Sequence, residues 1–307
     1  MKDPLKFLLF FLLYSCFSCK ATRVVEEKVD DFQGACYTFI EGIKATKPDD
    51  FEIDDFDDDL QEIFSERALV VANALNLKDA LREISRLDKD EDNLLYFMHY
   101  QEILNKINLA ELEVSSLNAA IKCEEDKSEQ LAWYLNRKES NISNKRTVGG
   151  IITDASANIL SGVVVIWIAN ANTFRQLMGV GASLATIILN VTNKVKVYTV
   201  EVEHEVNLLR DVYAEDLDWS EYIPPSVWYY INEKKVEIQG ETIRNSMIQS
   251  WDTFNIGESL DLYLSDGGQY SVDQLQNRAS MLDLFSAYIE LMKQDLLVFR
   301  REVVELR

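Results

Sequence analysis

Residues 93–141 read NLLYFMHYQEILNKINLAELEVSSLNAAIKCEEDKSEQLAWYLNRKESN, and their periodicity decides the fold class. Tyr100, Ile107, Val114, Ile121, Ser128 and Leu135 recur at one heptad position, and Ile103, Ala110, Leu117, Glu124 and Leu131 at the other. Apolar residues at this spacing make the seam of a coiled coil. About 48 helical residues would reach roughly 70 Å, longer than a compact domain. Glu124 and Ser128 interrupt the seam with polarity, which predicts a wet layer or a looser partner toward the far end. A second regular helix starts at Ser271, placed with Gln274 for a capping box. Along it Leu275, Leu282, Ile289, Leu296 and Val303 share one heptad position, while Ala279, Phe285, Met292, Phe299 and Leu306 supply a second stripe. This helix is the expected packing partner of the first.

The rest of the composition agrees with long helices. A chain of 307 residues, 47% hydrophobic and 27% charged, has material for a sizeable core in one or two domains. Its 11 Gly and 4 Pro are few for an all-β protein. The formal net charge of -21 makes nucleic acid a poor partner and disfavours anionic lipid over most of the surface. The fold expected is all-α: an elongated bundle of long coiled-coil-like helices with a central apolar helical hairpin.

That hairpin is residues 149–189, GGIITDASANILSGVVVIWIANANTFRQLMGVGASLATIIL. Gly149-Gly150 is read as the break before it. Two apolar runs, Ile159 to Ala169 and Leu177 to Leu189, are studded with small residues, among them Gly162, Gly179 and Gly181, with Trp167 in the first run. Small residues at this density let two helices approach closely, as in membrane helix pairs. Each run falls short of the roughly 20 residues a spanning helix needs, and Asp154, Asn158 and Arg175 punctuate them. A covered hairpin is therefore expected, with membrane insertion as the alternative.

At the N-terminus Lys2 and Lys6 precede the apolar core Phe7 to Tyr14, the layout of a secretory signal peptide. Ser15-Cys16-Phe17-Ser18-Cys19-Lys20 resembles the lipobox of bacterial lipoproteins, which implies cleavage before an acylated cysteine. Cys19 is the chosen site and Cys16 the alternative; a plain secretory signal is the competing interpretation. Acylation would hold the chain at a membrane, with about 0.8 kcal/mol per buried methylene. The implied location is the bacterial cell envelope, outer membrane, periplasmic or surface-facing. Cys36 and Cys123 are then the remaining thiols, free to form one bridge or to stay buried and reduced.

Between these landmarks the expected elements are mostly helical. Residues 23–45 read as a first amphipathic helix, with Val25, Val29, Phe32, Cys36, Phe39, Ile40 and Ile43 on one stripe. Asp49 to Asp59 is an acidic linker that caps the next helix, with Phe51, Ile53 and Phe56 touching the bundle; a calcium site would need a glycine turn that is absent. Leu60 to Leu87 reads as one helix. Residues 88–93 begin like an EF-hand loop, but Asn93 and His99 stand where Gly and Glu belong, so a turn is expected. Val191 to Tyr213 has strand composition in its first half, yet it is read as helix because a lone strand has no sheet to join. Pro224-Pro225 starts a short helix whose aromatics Trp228, Tyr229 and Tyr230 serve core packing, Thr242 to Phe254 forms another, and Asp266-Gly267-Gly268 makes a turn. The division expected is 1–18 signal peptide, 19–59 anchor, first helix and acidic linker, 60–148 bundle, 149–190 hairpin and 191–307 C-terminal helices.

No phosphate loop, nucleophile elbow or zinc-protease motif occurs. His204-Glu205 lacks a second histidine four residues on, so no catalysis, cofactor or metal is expected. Asn207-Leu208-Leu209-Arg210-Asp211, the Pro-Pro-x-x-Trp-Tyr-Tyr of 224–230, and Asp266-Gly267-Gly268-Gln269-Tyr270 before Met281-Leu282-Asp283 resemble a family of uncharacterised lipoproteins from Bacteroidota, over residues 90 to 300. The resemblance implies a helical lipoprotein and supplies no catalytic residues. The order long helix, apolar hairpin, long helix is similar to that of α-helical pore-forming toxins. The function expected is a lipid-anchored envelope scaffold that binds a protein partner or itself through its helices; the alternative is a membrane-active protein that inserts residues 149–190.

Overall fold

The computed structural model describes residues 23–27, 36, 47–88, 91–167, 196–252 and 256–306, giving the backbone path alone at 23–25, 27, 141–167, 196 and 256. The described chain is mostly helical, with α1 at Asp58–Ile63, α2 at Glu66–Ala74, α3 at Lys78–Arg86, α4 at Asn93–Trp167, α5 at Leu208–Tyr213, α6 at Pro225–Asn232, α7 at Ile243–Asp252, α8 at Leu260–Leu264 and α9 at Val272–Glu305. Strands β1 at Arg23–Glu27, β2 at Lys196–Glu203, β3 at Glu237–Ile238, β4 at Glu241–Thr242 and β5 at Gly267–Tyr270 correct the all-α expectation. The chain divides into two compact units, Met1–Lys28 with Ala132–Val200 and Val29–Leu131 with Glu201–Arg307.

In the second unit the heptads do what their spacing predicts. Tyr100, Ile103, Ile107, Ala110, Val114, Leu117 and Ile121 of α4 are buried, as are Leu275, Leu282, Ile289, Leu296 and Val303 of α9. Cross-helix hydrogen bonds fix the pair as antiparallel: Tyr96 Oη donates to the Leu306 carbonyl at 3.0 Å, Arg300 to Asn108 at 3.0 Å, Asn118 to Glu290 at 2.7 Å and Lys122 to Asp283 at 2.5 Å. Position numbers rise on one helix as they fall on the other. Helices α2, α6 and α7 pack on α9. Among them the buried Asp295 carboxylate accepts from Tyr230 at 2.7 Å and from Arg67 at 3.4 Å. The Ser271 capping box forms as its sequence requires.

The single helix expected from Leu60 to Leu87 is three. Ser65 caps α2 by accepting from the Ala68 amide, so α1 ends before it. Asn76 adopts φ 52; its own amide bonds to Asn73 O and the Leu77 amide reaches back to Ala72 O, both at 2.9 Å. That is a Schellman stop, which Asn supplies because its short side chain tolerates the left-handed region. The acidic run ahead of α1 is held by cations: Lys78 on Asp55 at 2.7 Å, and Arg82 and Arg86 on Asp57 at 3.4 and 2.9 Å. Phe51 and Phe56 are buried beneath it.

Two further corrections concern strands. Residues Arg23–Glu27, expected in a helix, form β1, and Lys196–Glu203, also expected as helix, form β2. In the first unit the two pair in parallel, Arg23 with Lys196 through Glu27 with Val200. The strand partner lies 173 residues away in sequence, Arg23 against Lys196, which no local pattern announces. In the second unit β5, expected as a turn, lies beside the end of β2. Gly267 sits at φ +136, and a Cβ there would stand 2.3 Å from Val202 O. The hairpin β3–β4 turns on Gln239 and Gly240, both at positive φ, as a type I′ turn requires. Cys36 and Cys123 are joined in a disulfide with Cα atoms 5.6 Å apart, which decides between the two fates open to them.

Helix α4 does not stop at Gly149-Gly150; its backbone stays helical to Trp167. The expected break is thus corrected. The second apolar run, Leu177 to Leu189, lies outside the described residues. Gly267→Ala is expected to destabilise the protein by roughly 3 kcal/mol or more, because the methyl has no room against β2 and the backbone is strained for any side chain. Urea unfolding of the variant measures it, and a change below about 0.5 kcal/mol contradicts the close strand approach.

Candidate functional site

The densest buried polar chemistry lies in the second unit, where β2 hands over to α5 and β5 to α9. The motif residues singled out in the sequence meet here. Asn207, fully buried, donates from Nδ2 to the carbonyls of Tyr263 at 2.8 Å and Ser265 at 2.7 Å. Arg210 pairs with Asp266 at 2.6 Å, and the His204 amide donates to Asp266 O at 2.9 Å. Asp211 accepts from Ser220 Oγ at 2.6 Å, and that oxygen accepts from the Ile223 amide at 3.0 Å. Arg244 closes the end of α5 through Val212 O at 2.7 Å and also bonds Ala214 O, while its guanidinium lies 5.1 Å from the Trp228 ring centre. The aromatics of 224–231 accordingly serve packing, with Trp228 and Tyr230 buried.

At the centre stand His204, Tyr270 and Arg278. The single Tyr270 hydroxyl proton goes to Leu262 O at 2.9 Å, so the 2.9 Å contact with His204 Nε2 is donated by the imidazole. This fixes a neutral tautomer with the proton on Nε2. Burial pulls the His204 pKa down to about 3, assisted by the positive charges of Arg278 and Lys127. Burial likewise pushes the Tyr270 phenol up to about 12. Arg278 is only 1% exposed; one terminal nitrogen reaches Tyr263 O at 3.4 Å and the other lies 4.0 Å from the Glu124 carboxylate, which also takes Lys127 at 3.2 Å. Ser128 Oγ donates to the Glu124 carbonyl at 3.0 Å. The two polar interruptions of the α4 seam therefore belong to one polar layer. His204 Nδ1, Arg278 Nε and Asn207 Oδ1 are buried without a hydrogen-bond partner.

This arrangement is built for register. An imidazole that stays neutral to about pH 3 and a phenol that stays protonated to about pH 12 exchange no protons near neutrality. Among the described residues no group of His, Cys, Asp and Glu could hold a metal. Sequence reasoning missed Arg278. The available signal was its position three residues after Leu275, on the buried stripe of α9, opposite the polar step at Glu124 on α4.

The residues proposed from sequence fall elsewhere. Cys16 and Cys19 lie outside the described residues, as do Gly179 and Gly181. Gly162 and Trp167 sit on the helical backbone of α4. Among the described residues no helix is long and apolar enough to cross a membrane. The conspicuous exposed groups are apolar: Leu94, Leu95, Phe97, Met98, Leu109, Leu112 and Trp133 along α4, and Leu297, Val298 and Val304 on α9. No family model, curated protein or solved structure matches the chain.

Two outcomes are expected from the polar layer. Glu124→Leu alone is expected to cost about 3–5 kcal/mol by leaving the buried Arg278 guanidinium without its carboxylate, and Arg278→Met with Glu124→Leu to recover most of it; denaturant melts of both variants read this. For His204 the unfolded chain takes a proton near pH 6.5 and the folded chain only near 3. The unfolded state then binds more protons in that window, so stability falls as pH drops through it, by at most roughly 5 kcal/mol. His204→Phe is expected to remove one proton's worth of that slope between about pH 6 and 4, read from melts across the range.

Proposed function

We propose that the protein is a lipid-anchored scaffold of the bacterial cell envelope whose helices bind a protein partner or a second copy, without catalysis. The observation that carries this reading is the outward apolar stripe of α4. Met98, Leu109 and Leu112 are spaced to share one helical face, opposite the face of Ile103, Ile107 and Val114 that the core buries. A helix apolar on two sides has one side left for a partner. The disulfide supports the compartment, since such bridges persist where the environment is oxidising. The lipobox-like Ser18-Cys19 supports the tether, and the bundle is proposed to be elongated.

A second reading, insertion of residues 149–190 in the manner of helical pore-forming proteins, is favoured by one observation. Helix α4 carries its backbone from the heptad region into the first apolar run without a break.

Cys19→Ala is expected to abolish acylation and release the protein from membranes; lipid retained on that variant moves the site to Cys16. Leu109→Glu with Leu112→Glu is expected to leave folding stability within about 0.5 kcal/mol while abolishing self-association by sedimentation or the native cross-linked complex in cells. Unchanged association removes the scaffold surface. Leakage of liposome contents caused by the unacylated protein, with residues 150–190 protected from protease, would instead establish insertion.

A further inference from the structure

We infer that the outer face of α4 seats the same face of a second copy of the chain, the two helices running antiparallel about a two-fold axis at Asn105. The stripe is that of the scaffold reading above, on which the pairing rests, and the partner is the chain itself. Leu94, Met98 and Leu112 are 74, 59 and 67% exposed, and Asn105 and Ser116 are exposed beside them. Met98 and Leu112 stand seven residues to either side of Asn105, so the three share one line of a heptad. Read in steps of three and four, Leu94 to Ala119 meets no charged side chain, in a chain that is 27% charged. The core takes the opposite side of α4, at Ile103, Ile107 and Val114. The outer line runs roughly 33 Å from Leu94 to Ser116.

Self-complementarity selects the occupant. A surface that meets its own copy across a two-fold axis must be its own complement, which a foreign partner does not require. Turning the helix end for end about Asn105 brings each residue to the one equally far on the other side. Met98 then meets Leu112, and Leu94 meets Ser116. Asn105 meets itself, and a lone amide in an apolar seam fixes register because its bond to its own copy is lost in any shifted pairing. Glu102 and Lys106 share one flank, 4.0 Å apart. In an antiparallel pair like flanks face each other, so Glu102 of one copy comes beside Lys106 of the other. On the second flank Glu111 comes beside Phe97.

Charge sets the direction. Asp88, Glu91 and Asp92 crowd the approach to α4, and the whole chain carries -21. A parallel pair in register would bring these acidic approaches side by side. The antiparallel pair holds one Asp92 roughly 40 Å from the other along the axis, and it sets the positive end of each helix dipole toward the negative end of its partner. At physiological ionic strength fields fade over about 8 Å, so distant charge opposes the contact little while the apolar side chains are buried by it.

The test uses the full chain with Cys16→Ser and Cys19→Ser, which leaves the bridged pair Cys36 and Cys123. Sedimentation equilibrium at physiological ionic strength is expected to show a dimer. Asn105→Cys under mild oxidation is expected to cross-link to its own copy, because seam positions on the two-fold axis come within disulfide reach. Met98→Cys would stand about 21 Å from its own copy. It is expected to cross-link to itself roughly tenfold less, since Cα atoms more than about 7 Å apart are not bridged, yet to join Leu112→Cys when the two variants are mixed. Self-cross-linking of Met98→Cys as complete as that of Asn105→Cys means a parallel pair and overturns the inference, as does a dimer in which neither cross-links. A monomer overturns it too: an Asn105→Cys thiol shielded from maleimide then gives the face to residues 29–46 of the same chain, and a reactive one leaves it to a foreign protein. The scaffold reading fails separately. A native cross-linked complex found with a monomeric chain keeps the scaffold and removes the second copy, whereas a dimer of a chain that cells leave unacylated keeps the second copy and removes the anchor. Asn105, Met98 and Leu112 are exposed, so melts of the three variants are expected to match the parent.

Discussion

A buried arginine facing a half-buried carboxylate fixes how the two long helices meet. An antiparallel pair held only by Leu, Ile and Val could slip by a heptad at modest cost, because one apolar layer substitutes for another. Arg278 cannot be moved to a neighbouring apolar layer without stranding its charge, and Glu124 cannot either. The contact at 4.0 Å is loose for a salt bridge, and desolvating both groups offsets much of their attraction. Its effect is on specificity more than on net stability. A second polar step, where Asn118 meets Ser286 and Glu290, reinforces the same register two turns away.

From that register the rest of the second unit follows. Arg278 reaches Tyr263 O at the end of α8, and Asn207 holds the same carbonyl from α5. The segment from α8 to α9 is thereby pinned, which sets β5 against the end of β2 at a spacing only glycine tolerates. Tyr270 and His204 close the arrangement with a bond that works in one tautomer. Each of these is a backbone-carbonyl or single-donor contact, so the network is directional and leaves little freedom to its members.

How much of this the sequence announced depends on whether the signal was local. The heptads of α4 and α9, the Ser271 cap and the helix after Pro224 rest on spacing within a few turns, and each formed as expected. The strand composition of Lys194 to Val202 is legible too, but its partner β1 lies far off in sequence on a stretch with a helical stripe, and a strand with no partner in view carries little weight. Asn76 ended a helix through backbone geometry that composition does not mark. Arg278 is hidden because a charge within an apolar stripe reads as an exposed neighbour until its opposite number is known. The disulfide stood undecided since a separation of 87 residues leaves pairing to the fold.

Helix α4 changes its chemistry along one uninterrupted backbone: an apolar seam first, then exposed aromatics with cations, then a segment almost free of charge. Gly149-Gly150 lowers helix propensity by about 1 kcal/mol per residue, yet glycine ends a helix only where the chain turns left-handed to cap it. The overall charge of -21 argues against an anionic surface only if all of that charge is felt there. At physiological ionic strength fields fade over about 8 Å, less than two turns of helix. By that measure the face of α4 at Trp133 senses the exposed Glu129 one turn before it as strongly as Arg137 one turn after it.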